Sequence, residues 1–212
     1  MKVSTIMPQS VLPGDFQAPL TILSFSRVGV EDLVSRLALE ERNREFVNHW
    51  ISLWKGNTLP PWANFSPAKM KPFLSNILLF EVVPDHRVTV RLAGTGYRYI
   101  LKTDPTGKDW IDAAPESHRA TRLKTFSAVA RGAILIAHRR IAMLSGVDHI
   151  SEEVLLPFAL EPSGYVPVLV HVNFRPEQFA KVKSIAQVTG DPLDYELIPL
   201  PTVPATRQLR SL

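Results

Sequence analysis

Ile77-Leu78-Leu79-Phe80-Glu81-Val82-Val83-Pro84-Asp85-His86-Arg87-Val88-Thr89-Val90-Arg91-Leu92-Ala93 is the stretch that decides the fold. Its first seven residues are apolar apart from Glu81. Pro84-Asp85-His86 carries turn chemistry. Arg87 to Ala93 then alternates, with Val88, Val90 and Leu92 on one face and Arg87, Thr89 and Arg91 on the other. Two strands joined by a tight turn make an antiparallel hairpin.

Downstream, Gly94-Thr95-Gly96 and a short helical stretch from Tyr97 to Leu101 precede the turn Asp104-Pro105-Thr106-Gly107. Pro115 to Arg131 reads as a helix, with Leu123, Phe126, Val129 and Ala130 apolar and Gly132 as its stop. Three strands are expected next: Ala133 to Met143, Ile150 to Ala159 across a turn at Ser145-Gly146, and Tyr165 to Phe174 after Glu161-Pro162-Ser163-Gly164.

Upstream, Glu31 to Trp54 reads as a helix in two pieces. Leu33, Leu37 and Leu39 mark the first. Phe46, Trp50, Leu53 and Trp54 mark the second, at spacing i, i+4, i+7, i+8, and Gly56-Asn57 stops it. Leu59-Pro60-Pro61-Trp62 is a rigid connector, and Ser66-Pro67 is a capped start for a short helix to about Leu74. Leu20 to Phe25 has the pattern of a short strand.

Strands divided by a helical middle on an antiparallel sheet are α+β. The expected organisation is a flexible N-terminal segment over 1–28, a helical flank over 29–58, a five-stranded antiparallel domain over 59–175, and a C-terminal helix and proline-rich tail over 176–212. Phe179, Val182 and Ile185 mark that last helix, and Pro192, Pro199, Pro201 and Pro204 the extended tail.

Composition narrows the chemistry. The 212 residues, 45% hydrophobic and 21% charged, suffice for one domain with a real core. The absence of cysteine excludes disulfides, thiolate catalysis, cysteinyl zinc sites and flavin–cysteine adducts, and fits a reducing cytoplasm. No apolar run approaches the roughly 18 residues of a membrane span, and Met1-Lys2-Val3-Ser4 is not followed by the apolar region of a signal peptide. The net charge of +4 is spread along the chain, densest at His138-Arg139-Arg140 and at Arg207 and Arg210. A nucleic-acid partner would call for a concentrated basic face, so a solvated surface is the expectation.

Catalytic and cofactor signatures are weak. Gly94-Thr95-Gly96 lacks the third glycine of a dinucleotide loop, which would fall at Tyr99, and reads as a tight turn. His49, His86, His118, His138, His149 and His171 form no metal-binding spacing. Ser117-His118 and Asp148-His149 come with no nucleophile elbow. Glu152 and Glu153 point to opposite faces of a strand and cannot act as a carboxylate pair. A solvated face accounts for one, and a salt bridge to Arg139 or Arg140 for the other.

Leu59 to Asp112 resembles the core of a bacterial PAS-like family of mostly stand-alone proteins. The features that carry the resemblance are the helix bearing Trp50, Leu59-Pro60, Asn64-Phe65-Ser66-Pro67, Arg91-Leu92-Ala93-Gly94-Thr95 and the turn at Thr106-Gly107. Five strands with helices between the second and third is also the PAS order. The resemblance implies a PAS fold, sensing of a ligand or partner, and no catalytic residues; with no kinase, cyclase or DNA-binding segment in the sequence, any output is expected to act in trans. Its motif residues here are Arg91, Gly94, Thr95 and Gly107. It would also place His118 in the helix that carries a haem ligand in some PAS proteins, but the cofactor stays unknown.

Within that frame Tyr97, Tyr99 and Trp110 are expected to wall a pocket for a small organic ligand, with Arg91 and His138 as polar members of the set. The alternative is that the rings only fill the core. A small hydrolase-like enzyme and a purely structural dimerisation domain are the rival functions. The strands 77–83 and 165–174 are apolar on both faces, so both faces of the sheet need cover. The Phe46–Trp50–Trp54 stripe is the best cover for the outer face, from its own chain or a second one, and the expectation is a homodimer that self-associates through this helix.

Overall fold

The computed structural model describes residues 24–101, 103–143, 149–173 and 185–202. Helix α1 (Arg27–Ser35) begins at Ser26, whose Oγ accepts from the Gly29 amide at 3.0 Å. Helix α2 (Glu41–Ser52) follows, and the connector and two 3-10 turns lead into β1 (Ile77–Val83). The stretch after Ser66-Pro67 is a run of turns rather than a helix. Strand β2 (Arg87–Ala93) completes the hairpin around Asp85, which sits at φ 62°. Its carboxylate is ion-paired with Arg131, and Ser127 Oγ accepts from its amide at 2.8 Å.

Helices α3 (Thr95–Leu101) and α4 (Glu116–Ala130) cross to β3 (Ala133–Met143), β4 (His149–Pro157) and β5 (Val166–Asn173). The strand order is β2-β1-β5-β4-β3, antiparallel throughout, and β6 (Ile185–Pro199) adds a sixth strand beyond β3. The fold is therefore the expected α+β sheet with flanking helices, one strand larger.

The sixth strand replaces the helix expected around Ile185. Val188, Thr189, Gly190 and Pro192 are poor helix residues, and β3 alone would leave an unpaired eleven-residue edge. Pro192 lies opposite Arg139, where the register is irregular and a missing amide is tolerated. Phe179, Val182, the turn at Ser145-Gly146, Phe174, residues 1–23 and Pro204 lie outside the described residues. Of the Leu20–Phe25 strand only Ser24 and Phe25 are described, and Phe25 makes a single bridge to Thr202.

Both faces of the sheet are covered. On the inner face Leu78, Phe80, Val88, Val90, Leu135, Leu155, Val168 and Val170 pack under α3 and α4. On the outer face Ile77, Leu79, Ile134, Ile136, Val154, Leu156 and Leu169 pack under α1, α2 and the segment bearing Met70 and Phe73.

Candidate functional site

The helix-covered inner face centres on Phe80. The Trp110 ring lies 5.6 Å from the Phe80 ring and the Phe126 ring 4.9 Å from it, centroid to centroid. Trp110 is held by its amide, which donates to Val88 O at 2.7 Å, and its own carbonyl accepts from Arg122 at 3.0 Å. The Arg122 guanidinium also sits 5.4 Å above the indole.

Tyr97, from α3, is buried against the same cluster. Burial, with the Glu153 carboxylate adding to it and Arg139 opposing, holds its phenol well above the usual tyrosine range. Arg139 Nε and Glu153 Oε2 meet at 2.5 Å on this face. The inner face thus combines aromatic walls with one largely buried ion pair. The pairing expected between a β4 glutamate and Arg139 is the one found.

Two other expected ligand residues lie elsewhere. Arg91 is on the outer side of β2, 68% exposed and 3.5 Å from Glu81. His138 is also on the outer face, since it shares parity with Ile134 and Ile136 rather than with Leu135 and Ala137. A bulge between Leu79 and Phe80 and the strict alternation of β3 set both orientations. Tyr99 belongs to α3, and its side chain is outside the described residues.

The family-motif glycines have structural reasons. A Cβ at Gly94 would overlap the carbonyl oxygens of Leu74 and Ser75, and the Gly94 amide donates to Ile77 O at 2.8 Å. Gly107 has φ 82° and donates to Val90 O at 2.7 Å, which fastens the turn to β2. Thr95 is the exposed first residue of α3.

The outer face holds a polar cluster that sequence reasoning missed. Glu152 is only 1% exposed, which corrects its expected place on a solvated face. Its Oε1 accepts from Asn43 Nδ2 at 2.7 Å and from the Glu40 amide at 3.1 Å, at the N-terminus of α2. Asn43 Nδ2 also reaches Glu152 O at 3.1 Å. With its amide NH₂ turned to those acceptors, Asn43 presents Oδ1 to His171 Nδ1 at 2.5 Å. His171 therefore donates from Nδ1, and among the described residues its buried Nε2 has no hydrogen-bond partner. The imidazole stacks on Phe46 at 4.9 Å with Phe73 edge-on at 5.3 Å. Burial, with the Arg42 charge adding to it, lowers the His171 pKa to about 3.

His138 on β3 and His171 on β5 are separated by β4, and both approach the same β4 carboxylate. His138 Nε2 is 3.7 Å from Glu152 Oε2, and His171 reaches Glu152 through Asn43. The only advance signal for the cluster was polar residues at sheet positions that should be apolar.

Phe46, Trp50 and Trp54 cover the outer face from their own chain, with Trp50 Nε1 donating to Pro157 O at 2.9 Å. While α2 is docked, that stripe is not available to a second copy. Among the described residues no helix is long and apolar enough to cross a membrane.

No curated protein matches the chain. A family model for the PAS domain matches residues 39–169, more than half of the chain, from just before α2 into β5. With the β2-β1-β5-β4-β3 sheet, the helices over its inner face and the glycine-bearing turns in place, the chain belongs to the PAS domain family.

Proposed function

We propose that this protein is a non-catalytic sensory module that receives a small organic ligand on the inner face of the sheet and signals in trans to a protein partner. The observation that carries this reading is the Arg139–Glu153 pair beside Tyr97 and the Trp110–Phe80–Phe126 rings. An ion pair withdrawn from water among aromatic rings costs desolvation, and apolar residues of similar size would do as well for stability alone. A ligand with a flat apolar body and a charged or hydrogen-bonding group would use both features: rings for the body, Arg139 or Glu153 for the polar group. PAS domains are generally non-catalytic sensory or interaction modules, which supports the same reading.

Native mass spectrometry of protein purified from its own host tests it. A retained small molecule that is lost in both Arg139→Met and Glu153→Gln is the expected result. A chain of bare sequence mass, with no small-molecule-induced rise in melting temperature across a metabolite panel, would favour a purely structural domain.

A further inference from the structure

Outside the inner face, the most distinctive chemistry is the buried chain of polar groups that joins α2 to the sheet. The His171 ring itself is packed against apolar groups: Phe46 and Phe73 on the ring, and Ile77 and Val154 as its strand neighbours. A hydrocarbon interface there would be at least as stable, so the polar chain has to be accounted for by something other than stability. We propose that Glu152, Asn43 and His171 form a proton-sensitive latch that holds α2 on the outer face of the sheet and releases it in mild acid.

The bonds have a direction. Glu152 accepts from the side chain of Asn43 and from the Glu40 amide, so it caps α2 from the sheet; Glu40 itself makes no side-chain cap. This fixes the Asn43 amide, which in turn fixes His171 as a donor from Nδ1. Among the described residues the remaining ring nitrogen faces no acceptor. A proton added to Nε2 would place a cation among Phe46, Phe73 and the nearby Arg42, with nothing to receive its hydrogen bond. With α2 lifted, water can solvate that cation. Acid therefore favours the undocked form.

Among the described residues, the charged and titratable groups facing the latch are Glu40 at the N-cap of α2, Arg42 from α2 and His138 from β3; β1 presents apolar Ile77 and the preceding segment Phe73. His138 Nε2 lies 3.7 Å from Glu152 Oε2, on the β3 side of the same carboxylate. Release exposes the Phe46–Val47–Trp50–Trp54 stripe together with the sheet face beneath it.

With His171 neutral in the docked state and ordinary in the released one, the released fraction rises roughly tenfold at pH 5.5 and roughly thirtyfold at pH 5.0 relative to about pH 7.5. Hydrogen–deuterium exchange of the full chain reads this directly. Amides of residues 41–52 are expected to open more readily than those of β1 and β5, and to lose about tenfold protection between about pH 7.5 and pH 5.5 after correction for intrinsic exchange. His171→Phe should abolish that loss. Equal protection of α2 and the β1–β5 core at both pH values, or a pH response unchanged in His171→Phe, overturns the latch.

A second readout does not depend on how well that variant folds. The chain has no cysteine, so Val47→Cys places a single thiol under α2. Its labelling by a dipyridyl disulfide, corrected for the rate on an unfolded peptide, should rise about tenfold over the same pH interval. A rate independent of pH overturns the proposal.

Discussion

Asn43 on α2 and Glu152 on β4 stand 109 positions apart in the chain and meet at 2.7 Å in its interior. One amide side chain thereby serves a carboxylate with its NH₂ and a histidine with its oxygen. The helix that covers the outer face is positioned by this contact as well as by apolar packing.

Asn43→Leu should be among the most destabilising single changes at this interface. It leaves the Glu152 carboxylate short of a donor and His171 Nδ1 short of an acceptor, both buried. A loss of about 3 kcal/mol is expected from urea unfolding. The double change Asn43→Leu with Glu152→Leu should recover part of it, because the uncompensated charge is gone.

Stability should fall in mild acid through His171. Its pKa is about 3 in the folded chain and ordinary, near 6.5, in the unfolded one. Above pH 6.5 both states are neutral and the full contribution is present. As pH falls below 6.5 the unfolded chain takes up a proton that the folded chain refuses, until the folded pKa is reached. The unfolding free energy of the protein should fall relative to that of His171→Phe on that interval by up to about 1.4 kcal/mol per pH unit. Parallel stability–pH curves would contradict it.

Trp50→Ser with Trp54→Ser should unfold the domain rather than release monomers. Both rings are fully buried within their own chain, and Trp50 also donates to Pro157 O. A loss of several kcal/mol per ring is expected, read as collapse of the near-ultraviolet circular dichroism signal. A folded, cooperative variant that merely sediments as a smaller species would put the stripe between two chains instead.

Gly94→Ala should cost more than an ordinary surface change, about 2 kcal/mol, because the new methyl would press on the carbonyls of Leu74 and Ser75 where α3 leaves β2. Gly107→Ala meets no neighbour and carries only its φ 82° strain, so about 1 kcal/mol is expected. Melting temperatures of the two variants decide the order.

The hairpin, the α4 helix and strands β3 to β5 were legible because each rests on a local signal: alternation in Arg87–Ala93, turn residues at Pro84-Asp85-His86, a glycine stop at Gly132. A salt bridge from one of Glu152 and Glu153 to Arg139 or Arg140 was legible too, since they lie on neighbouring strands of a predictable sheet; the fold selected Glu153 and Arg139. Arg91 and His138 were placed in the wrong company because a bulge and a choice of face decide where a strand residue points. Strand β6 was missed because what makes residues 185–199 a strand is the open edge of β3, which no local window contains.

Periodicity and turn chemistry by themselves determined that this chain is an antiparallel α+β sheet, apolar on both faces and therefore covered on both, with an aromatic helix available as one of the covers. Only the tertiary structure decided that the cover comes from the same chain, and that Asn43, Glu152 and His171 converge beneath it. The reason is physical. Hydrophobic periodicity records which face of an element avoids water, whereas a buried carboxylate, amide and imidazole are tolerated only through partners that long-range folding brings within hydrogen-bond reach.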